Sequence, residues 1–195
     1  MAAFDERAPD YEAGWLGRLH REIADRTTSL TLGRTTAFSR VLDVGCGTGY
    51  LLRRLARLCP GVTDLVGVDP APAMIEIART KSEDRRLQYC SGIVEQLPFR
   101  DGAFDLVVST TSFDHWTDQR AGLAQCARVL IPGGRLLLVD QFSRLLIPTL
   151  LTSRRGKART EKRCSRLLLE AGFTDPAWHD LFVLIKGADT RTRRR

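Results

Sequence analysis

Short apolar segments alternate along the chain with segments of helical spacing. The apolar segments are rich in Val, Leu and Ile and have the length of strands. Six strands are predicted, at residues 40–44, 64–68, 87–90, 104–109, 135–140 and 181–186. Helical spacing between the early strands predicts helices at residues 50–58, 73–79 and 119–130. Strands that alternate with helices predict an α/β fold, in which a mostly parallel sheet carries helices on both faces.

Residues that favour helix ends mark the boundaries of the predicted helices. Asp69 and Pro70 predict a helix start, with a capping carboxylate before a proline at the first helical position. The Pro-Gly-Gly sequence at 132–134 ends the preceding helix. Thr160 begins a later helix, and Gly172 ends it.

The chain has the length of one domain. Its 195 residues are 43% hydrophobic, which suffices for a single substantial core. We expect residues 1–39 to form a helical segment, residues 40–187 the globular domain, and residues 188–195 a basic tail. The longest apolar runs, such as 145–151, are too short to span a membrane, and the first residues lack a secretory signal. The resulting expectation is a cytoplasmic protein.

The cysteines and histidines do not indicate a disulfide framework or a metal site. The five cysteines are widely separated and include no Cys-x-x-Cys pair. The three histidines, His20, His115 and His179, are equally dispersed. The sequence therefore predicts reduced thiols and no metal.

The net charge of +7 is concentrated towards the end of the chain. Residues 144–166 are rich in Arg and Lys with Glu161 as their single acid, and the chain ends in an arginine cluster. Such a surface attracts an anionic acceptor, a nucleic acid or a membrane surface. A solvated helix face followed by a disordered tail explains the same pattern, and both interpretations stay open.

A glycine-rich turn follows the first predicted strand. Residues 41–50 read Val-Leu-Asp-Val-Gly-Cys-Gly-Thr-Gly-Tyr, which predicts a strand, a tight turn and the start of a helix. Glycine has no Cβ, so it adopts positive φ and lets a ligand lie against the backbone. At the carboxyl end of a parallel strand such a turn is a ligand site. The dinucleotide fingerprint requires glycine where this chain has Tyr50, which argues against a nicotinamide oxidoreductase.

Four motifs follow one another in order. The first is Asp-x-Gly-x-Gly-x-Gly at 43–49, and the others are Leu-Pro-Phe at 97–99, Phe-Asp at 104–105 and Arg-Val-Leu-x-Pro-Gly-Gly at 128–134. In order and spacing the chain resembles the class I S-adenosylmethionine-dependent methyltransferases, in particular the branch that includes ubiquinone and menaquinone biosynthesis methyltransferases. The resemblance implies a Rossmann-like, doubly wound sheet of seven strands, S-adenosylmethionine as the cofactor, and a lid formed by the amino-terminal helical segment.

The resemblance also assigns residues to the cofactor. Asp43 helps to position the amino group at the methionine end of the cofactor. Asp69, after the second strand, accepts hydrogen bonds from the ribose hydroxyls of the cofactor. A helix cap is the alternative interpretation of Asp69, and the two roles are compatible. Relatives commonly carry an acid where this chain has Ile93, so we expect apolar packing and backbone near Val94 to hold the adenine. The complete predicted set is Asp43, Gly45, Cys46, Gly47, Gly49, Asp69, Pro70, Met74, Ile93, Val94 and Ser109.

The predicted acceptor site lies after the fourth and fifth strands. Because the sulfonium activates the methyl group, the protein must align the acceptor and, where needed, remove a proton. Of the two residues Asp114 and His115, His115 is the candidate base, since an ordinary imidazole titrates near neutral pH, and Asp114 is its candidate orienting partner. Capping and packing of the next helix is the alternative role of both. Residues 109–113 lack the Asn/Asp-Pro-Pro-aromatic element expected for base methylation, which disfavours DNA as the acceptor.

The sequence thus predicts a methyltransferase for a small-molecule acceptor, and the basic segment would suit an anionic one. Oxygen, nitrogen and carbon acceptors are all open, and no motif indicates an oligomeric state. An S-adenosylmethionine-binding module without methyl transfer is the alternative, favoured by Ile93. A nicotinamide oxidoreductase is the third candidate.

Overall fold

The computed structural model describes residues 14–34, 38–142, 160–182 and 185–193. Its helices are α1 (Gly14–Arg34), α2 (Tyr50–Leu58), α3 (Pro72–Thr80), α4 (Gln119–Val129) and α5 (Glu161–Glu170). Its strands are β1 (Arg40–Val44), β2 (Asp64–Asp69), β3 (Leu87–Ser91), β4 (Phe104–Thr110), β5 (Leu130–Gln141), β6 (Ala177–Asp180) and β7 (Ile185–Arg191). Short 3₁₀ turns follow β3 and β4, at Val94–Gln96 and Phe113–His115. In these ranges no helix combines the length and the apolar character needed to cross a membrane.

The seven described strands form one sheet in the order β3-β2-β1-β4-β5-β7-β6. Strands β1 to β5 pair in parallel, whereas β7 runs antiparallel to both β5 and β6. The strand order reverses between β1 and β4, and ligands bind outside the carboxyl ends of strands at such a reversal. The predicted Rossmann-like, doubly wound and mostly parallel sheet is confirmed.

Helices cover both faces of the sheet because successive strand residues point to opposite sides. On one face, Val41 and Leu65 pack with Leu52 of α2 and Ile75 of α3. On the other face, Leu42 belongs to a core cluster with buried residues of α4 and α5. Two apolar layers therefore hold the sheet at a fixed position between the helices.

Helix α1 lies within the predicted amino-terminal helical segment and packs on the folded domain. Ile23 is buried against Leu137 and Val139 of β5, and Ala24 joins the core cluster that contains α2. Three threonines on its buried side donate to carbonyl oxygens four residues earlier, which satisfies their hydroxyls inside the protein. These are Thr27, Thr28 and Thr31. The first 13 residues lie outside the described ranges.

The helix start predicted at Asp69 and Pro70 is wrong by two residues. Helix α3 begins at Pro72, so Pro70 is not its first residue and Asp69 is not its N-cap. Instead, the Asp69 carboxylate accepts a hydrogen bond from the Ala71 amide at 2.9 Å, in the turn that precedes the helix. The sequence pattern contains two prolines, and the second one occupies the position that favours helix initiation.

Helix α4 ends one residue earlier than predicted, at Val129. Leu130 already pairs with Phe104, and the Pro-Gly-Gly sequence at 132–134 lies inside β5 at an irregularity of the strand register. The predicted start of α5 is confirmed, because the Thr160 hydroxyl accepts a hydrogen bond from the amide of Arg163.

The strand predicted at 181–186 is misplaced, because β7 begins at Ile185 and continues to Arg191. Leu181 and Ile185 are buried against Ile23 of α1, which explains the apolar character of the predicted range. Beyond that range, β7 buries small residues such as Ala188. A strand of small and polar residues lacks the apolar run that predicts strands from sequence.

Strand β7 also corrects the predicted tail at 188–195, since residues 188–191 pair with β5. Asp189 makes a two-point ion pair with Arg135 of β5, with Nε–Oδ1 and Nη2–Oδ2 distances of 2.6 and 2.8 Å. The two side chains are only 12% and 6% exposed, respectively. A pair so well shielded from water holds the antiparallel strand to the parallel part of the sheet.

Removing one partner of the Arg135–Asp189 pair should destabilise the protein. Asp189→Ala leaves a buried guanidinium uncompensated, and we expect urea denaturation to show a loss of about 3–5 kcal/mol in the free energy of unfolding. The double variant Arg135→Met, Asp189→Leu should recover most of this loss. Asp180→Ala, which disrupts the exposed Lys186–Asp180 pair, is the control and should cost less than about 1 kcal/mol. Equal losses for the two alanine variants would contradict a structural role for the buried pair.

Candidate cofactor and acceptor site

The glycine turn between β1 and α2 lies at the carboxyl end of the parallel strands. Gly45 and Gly47 have φ angles of 74° and 52°, a region that favours glycine. A Cβ on Gly45 would lie 2.4 Å from the Cβ of Ser112, so the loop after β4 leaves no room for a side chain. The amides of Gly45 and Cys46 both donate to the carbonyl oxygen of Val68, at 2.8 and 3.1 Å. These two bonds tie the turn to the end of β2.

Two clefts meet at this turn. The larger has an empty volume of about 960 Å³ and lies over the end of β2 and the loops that follow β3 and β4. The smaller, of about 490 Å³, lies between the turn and α1. Gly45, Gly47, Thr110 and Thr111 line both, so the two clefts adjoin each other at the turn. A ligand with two chemically different ends can occupy both clefts.

Most of the predicted cofactor residues line these two clefts. The larger cleft brings together Gly45, Gly47, Asp69, Pro70, Met74, Ile93 and Val94. The smaller cleft adds Asp43 and Cys46 to the two glycines. Residues that are far apart in the chain thus surround one space, and their part in binding stays a prediction.

Two predicted cofactor residues lie outside both clefts. Gly49 directly precedes α2, and a Cβ there would lie 2.6 Å from the hydroxyl of Tyr89, so this glycine serves packing. Ser109 is fully buried in β4, with its hydroxyl 2.6 Å from that of Ser112. Because β4 extends to Thr110, the residues that line the clefts come later in the chain. They are Thr110, Thr111 and Ser112, which the motifs do not indicate.

Asp43 is a buried acid in the smaller cleft. It is 1% exposed, and neither carboxylate oxygen has a hydrogen-bond partner among the described residues. Burial, together with the nearby Asp69 carboxylate, raises the pKa of Asp43 from its ordinary value to about 8. A cation bound in the smaller cleft would favour the ionised form and supply the missing partner. The α-ammonium group of S-adenosylmethionine is such a cation, so the residues present fit this cofactor.

Asp69 connects the larger cleft to the glycine turn. One carboxylate oxygen accepts from the Gly47 amide at 2.8 Å, and the other accepts from the Ala71 amide at 2.9 Å. The side chain still lines the larger cleft, and each oxygen has further acceptor capacity for a ligand hydroxyl. Asp69 therefore holds the turn in place and lines the larger cleft, and its contact with a ribose stays a prediction.

Apolar side chains form the part of the larger cleft that is predicted to hold the adenine. Met74 and Val94 are buried, at 2% and 6% exposed. Ile93 is 44% exposed and also lines the cleft. Its side chain is apolar, and the cleft therefore has no carboxylate at that position. This wall offers dispersion contacts to a flat ring rather than a charged hydrogen-bond acceptor.

The 3₁₀ turn after β4 separates the two predicted catalytic residues. His115 is exposed and lines the larger cleft, whereas Asp114 lines neither cleft. Asp140, at the end of β5, accepts hydrogen bonds from the amide of Asp114 at 3.2 Å and from that of Gln141 at 2.7 Å. Burial raises the pKa of Asp140 to about 6. The end of β5 thus holds the turn that presents His115.

Asp69→Ala should weaken the binding of S-adenosylmethionine about tenfold or more. The ribose hydroxyls and the Gly47 amide would both lose a charged acceptor. Isothermal titration calorimetry measures the dissociation constant, and circular dichroism checks the fold. Asp64→Ala, at the opposite end of β2, is the control and should bind as the wild type does. If folded Asp69→Ala protein binds as tightly as the wild type, the ribose contact is wrong.

Asp43 should make this binding depend on pH. In the free protein its carboxyl group is protonated below about pH 8, and pairing with an ammonium group requires the ionised form, so binding releases a proton. Affinity should rise with pH by up to about tenfold per unit below that value. Calorimetry in buffers of different ionisation enthalpy measures the released proton, and Asp43→Asn should abolish both effects. A wild-type affinity that is constant from about pH 6 to pH 8 would contradict this role.

Comparison with known proteins identifies the family. Residues 42–138 match the family described as a methyltransferase domain. Demethylmenaquinone methyltransferase of Thermus thermophilus is 39% identical over 142 residues, which cover 70% of this chain and 63% of that protein. Malonyl-[acyl-carrier protein] O-methyltransferase of Serratia marcescens is 35% identical over 136 residues, which cover 70% of this chain and 50% of that one. The chain thus spans between half and two thirds of the length of these relatives.

A solved structure shares the fold over almost the whole chain. A Haloferax volcanii protein in complex with the Trm112 methyltransferase activator superposes with a TM-score of 0.80 at 21% identity, covering 98% of both chains. At that identity the likeness concerns the fold alone. With the family match, the related sequences and the site geometry, the chain belongs to the class I S-adenosylmethionine-dependent methyltransferases and resembles their ubiquinone and menaquinone biosynthesis branch.

Proposed function

We propose that this protein transfers a methyl group from S-adenosylmethionine to a small organic acceptor. The observation that carries the proposal is the pair of adjoining clefts at the glycine turn. The buried carboxylate of Asp43 lies in the smaller cleft, and the imidazole of His115 lines the larger one. Bound S-adenosylmethionine supplies a methyl group that its sulfonium already activates.

Three kinds of contact hold the cofactor in this proposal. Asp43 pairs with the α-ammonium group, Asp69 accepts from the ribose hydroxyls, and Met74 packs with Val94 against the adenine. Asp69 is already bonded to the amide of Gly47, so the site is formed before the ligand arrives. Such preorganisation contributes to the rate by keeping the reacting atoms in line.

His115 is the proposed general base. It lines the larger cleft beside Trp116 and Thr117, where an acceptor would lie. A neutral imidazole there can accept the acceptor's proton as the new bond to carbon forms. Asp114 lies outside the cleft lining, so its proposed contribution is to position the turn that carries His115.

The acceptor class follows from the cleft and from the relatives. The printed names of the two relatives refer to demethylmenaquinone and to a malonyl group on a carrier protein, which are organic acceptors of different kinds. The larger cleft offers apolar Ile93 and Trp116 together with polar Glu95 and Thr117. This mixture suits a small organic molecule, and we propose a cytoplasmic enzyme for such a molecule rather than a DNA methyltransferase.

An anionic acceptor is a narrower proposal that rests on charge alone. Four basic residues lie close together in the sequence at Arg154, Arg155, Lys157 and Arg159. They lie outside the described residues. Their concentration of positive charge would attract an anion from solution.

Binding and turnover separate the proposal from its alternatives. The purified protein should bind S-adenosylmethionine and S-adenosylhomocysteine, but not NAD, in calorimetric titrations. Transfer of labelled methyl to a member of a small-molecule panel would support the enzyme. Cofactor binding without transfer to any acceptor would instead support a binding module, and binding of NAD alone would support an oxidoreductase.

His115→Ala should lower turnover by a factor of about 10² to 10⁴ while cofactor affinity stays within about threefold. Turnover of the wild type should rise with pH as the imidazole loses its proton, and the variant should lack this rise. His179→Ala, on β6 and outside both clefts, is the matched control. A loss below about threefold with an unchanged pH profile would return His115 to a packing or capping role.

A further inference from the structure

We propose that Arg21 of α1 binds the carboxylate at the amino-acid end of the cofactor, so that α1 completes the cofactor site. The inference rests on the proposed function, since it concerns the same ligand in the smaller cleft. It extends the site to an element that lies outside the four sequence motifs and outside residues 42–138.

The smaller cleft has one acidic and one basic side chain on different elements. Asp43 lies at the end of β1, and Arg21 lies on α1. An α-amino acid carries an ammonium and a carboxylate on the same carbon, so its binding site needs both kinds of partner. A guanidinium binds a carboxylate through two parallel hydrogen bonds, which fixes orientation as well as charge.

No other side chain among the described residues of this cleft supplies a permanent positive charge. Arg21 is the one Arg or Lys in its lining. His20 also lines the cleft, but burial lowers the pKa of its imidazole, which is therefore neutral at neutral pH. The choice of a cationic partner thus falls on Arg21.

Contacts close to Arg21 hold α1 against the start of α2. The Tyr50 hydroxyl donates to the Asp25 carboxylate at 3.3 Å, and Nε of Arg54 lies 3.2 Å from the same carboxylate. Ala24 is buried in the core cluster that contains α2. These contacts lie within one helical turn of Arg21 and keep it beside the glycine turn.

Backbone amides of the glycine turn are the alternative partners for the ligand carboxylate. Those of Gly45 and Cys46 already donate to Val68, and that of Gly47 donates to Asp69. Three successive amides are therefore engaged within the protein. This favours a side-chain cation as the partner of the ligand carboxylate.

The test compares two ligands that differ in the amino-acid end. S-adenosylhomocysteine carries this end, and 5′-methylthioadenosine lacks it but keeps the adenosine and the sulfur. In Arg21→Met, the dissociation constant of S-adenosylhomocysteine should rise about tenfold or more, while that of 5′-methylthioadenosine should change less than about twofold. Arg21→Lys keeps the charge and should recover part of the affinity. Arg18→Met removes an exposed arginine from the same helix and should bind both ligands as the wild type does.

Each outcome has a distinct meaning. Arg21→Met protein that binds S-adenosylhomocysteine as tightly as the wild type would overturn the inference and leave the proposed function standing. An equal loss for both ligands would also overturn it, since the substitution would then act on the fold or on the adenosine end. Wild-type protein that binds neither ligand would contradict the proposed function itself.

Discussion

The site depends on how the glycine turn is anchored to the neighbouring strand. Three successive amides of the turn donate to the end of β2, two of them to the carbonyl oxygen of Val68 and the third to the Asp69 carboxylate. This arrangement requires positive φ at Gly45 and Gly47. It sets the position of α2, whose first turn follows directly, and it opens the space that the two clefts occupy. A side chain on Gly45 would collide with Ser112 and close that space.

The anchored turn leaves a buried acid that the protein does not satisfy by itself. Asp43 lies under the turn, and both of its oxygens are without partners among the described residues. Burial of an unpaired carboxylate opposes folding. Burial and the repulsion from the nearby Asp69 carboxylate both disfavour the charged form of Asp43, so its pKa is raised. Perturbed acids of this kind concentrate at functional sites, where a ligand supplies the missing charge. In the proposed function, the ligand brings the cation that Asp43 lacks.

The elements that complete the site have different origins in the chain. The glycine turn, Asp43 and Asp69, and the apolar side chains of the larger cleft all lie within residues 42–138, which match the family. Helix α1 lies outside that range, and its contact with Tyr50 through Asp25 joins it to the shared part. Its side chains add a second wall to the smaller cleft. In the proposed function, residues within the matched range bind the cofactor, and α1 closes one end of the smaller cleft.

The sequence by itself determined the early strands and helices, the glycine turn and most of the residues around it, because these depend on local periodicity and on motifs of neighbouring residues. Only the tertiary structure decided which side chains reach the clefts. Ser109 and Ser112 are three residues apart, yet the end of β4 buries the first and exposes the second to the site. Asp189 reads as part of a polar tail until Arg135, distant in the chain, is placed beside it. Arg21 likewise lies in no motif. It is proposed as a cofactor residue only because the fold places it in the same cleft as Asp43. Local patterns do not encode such pairings, because the partners meet only after the chain has folded.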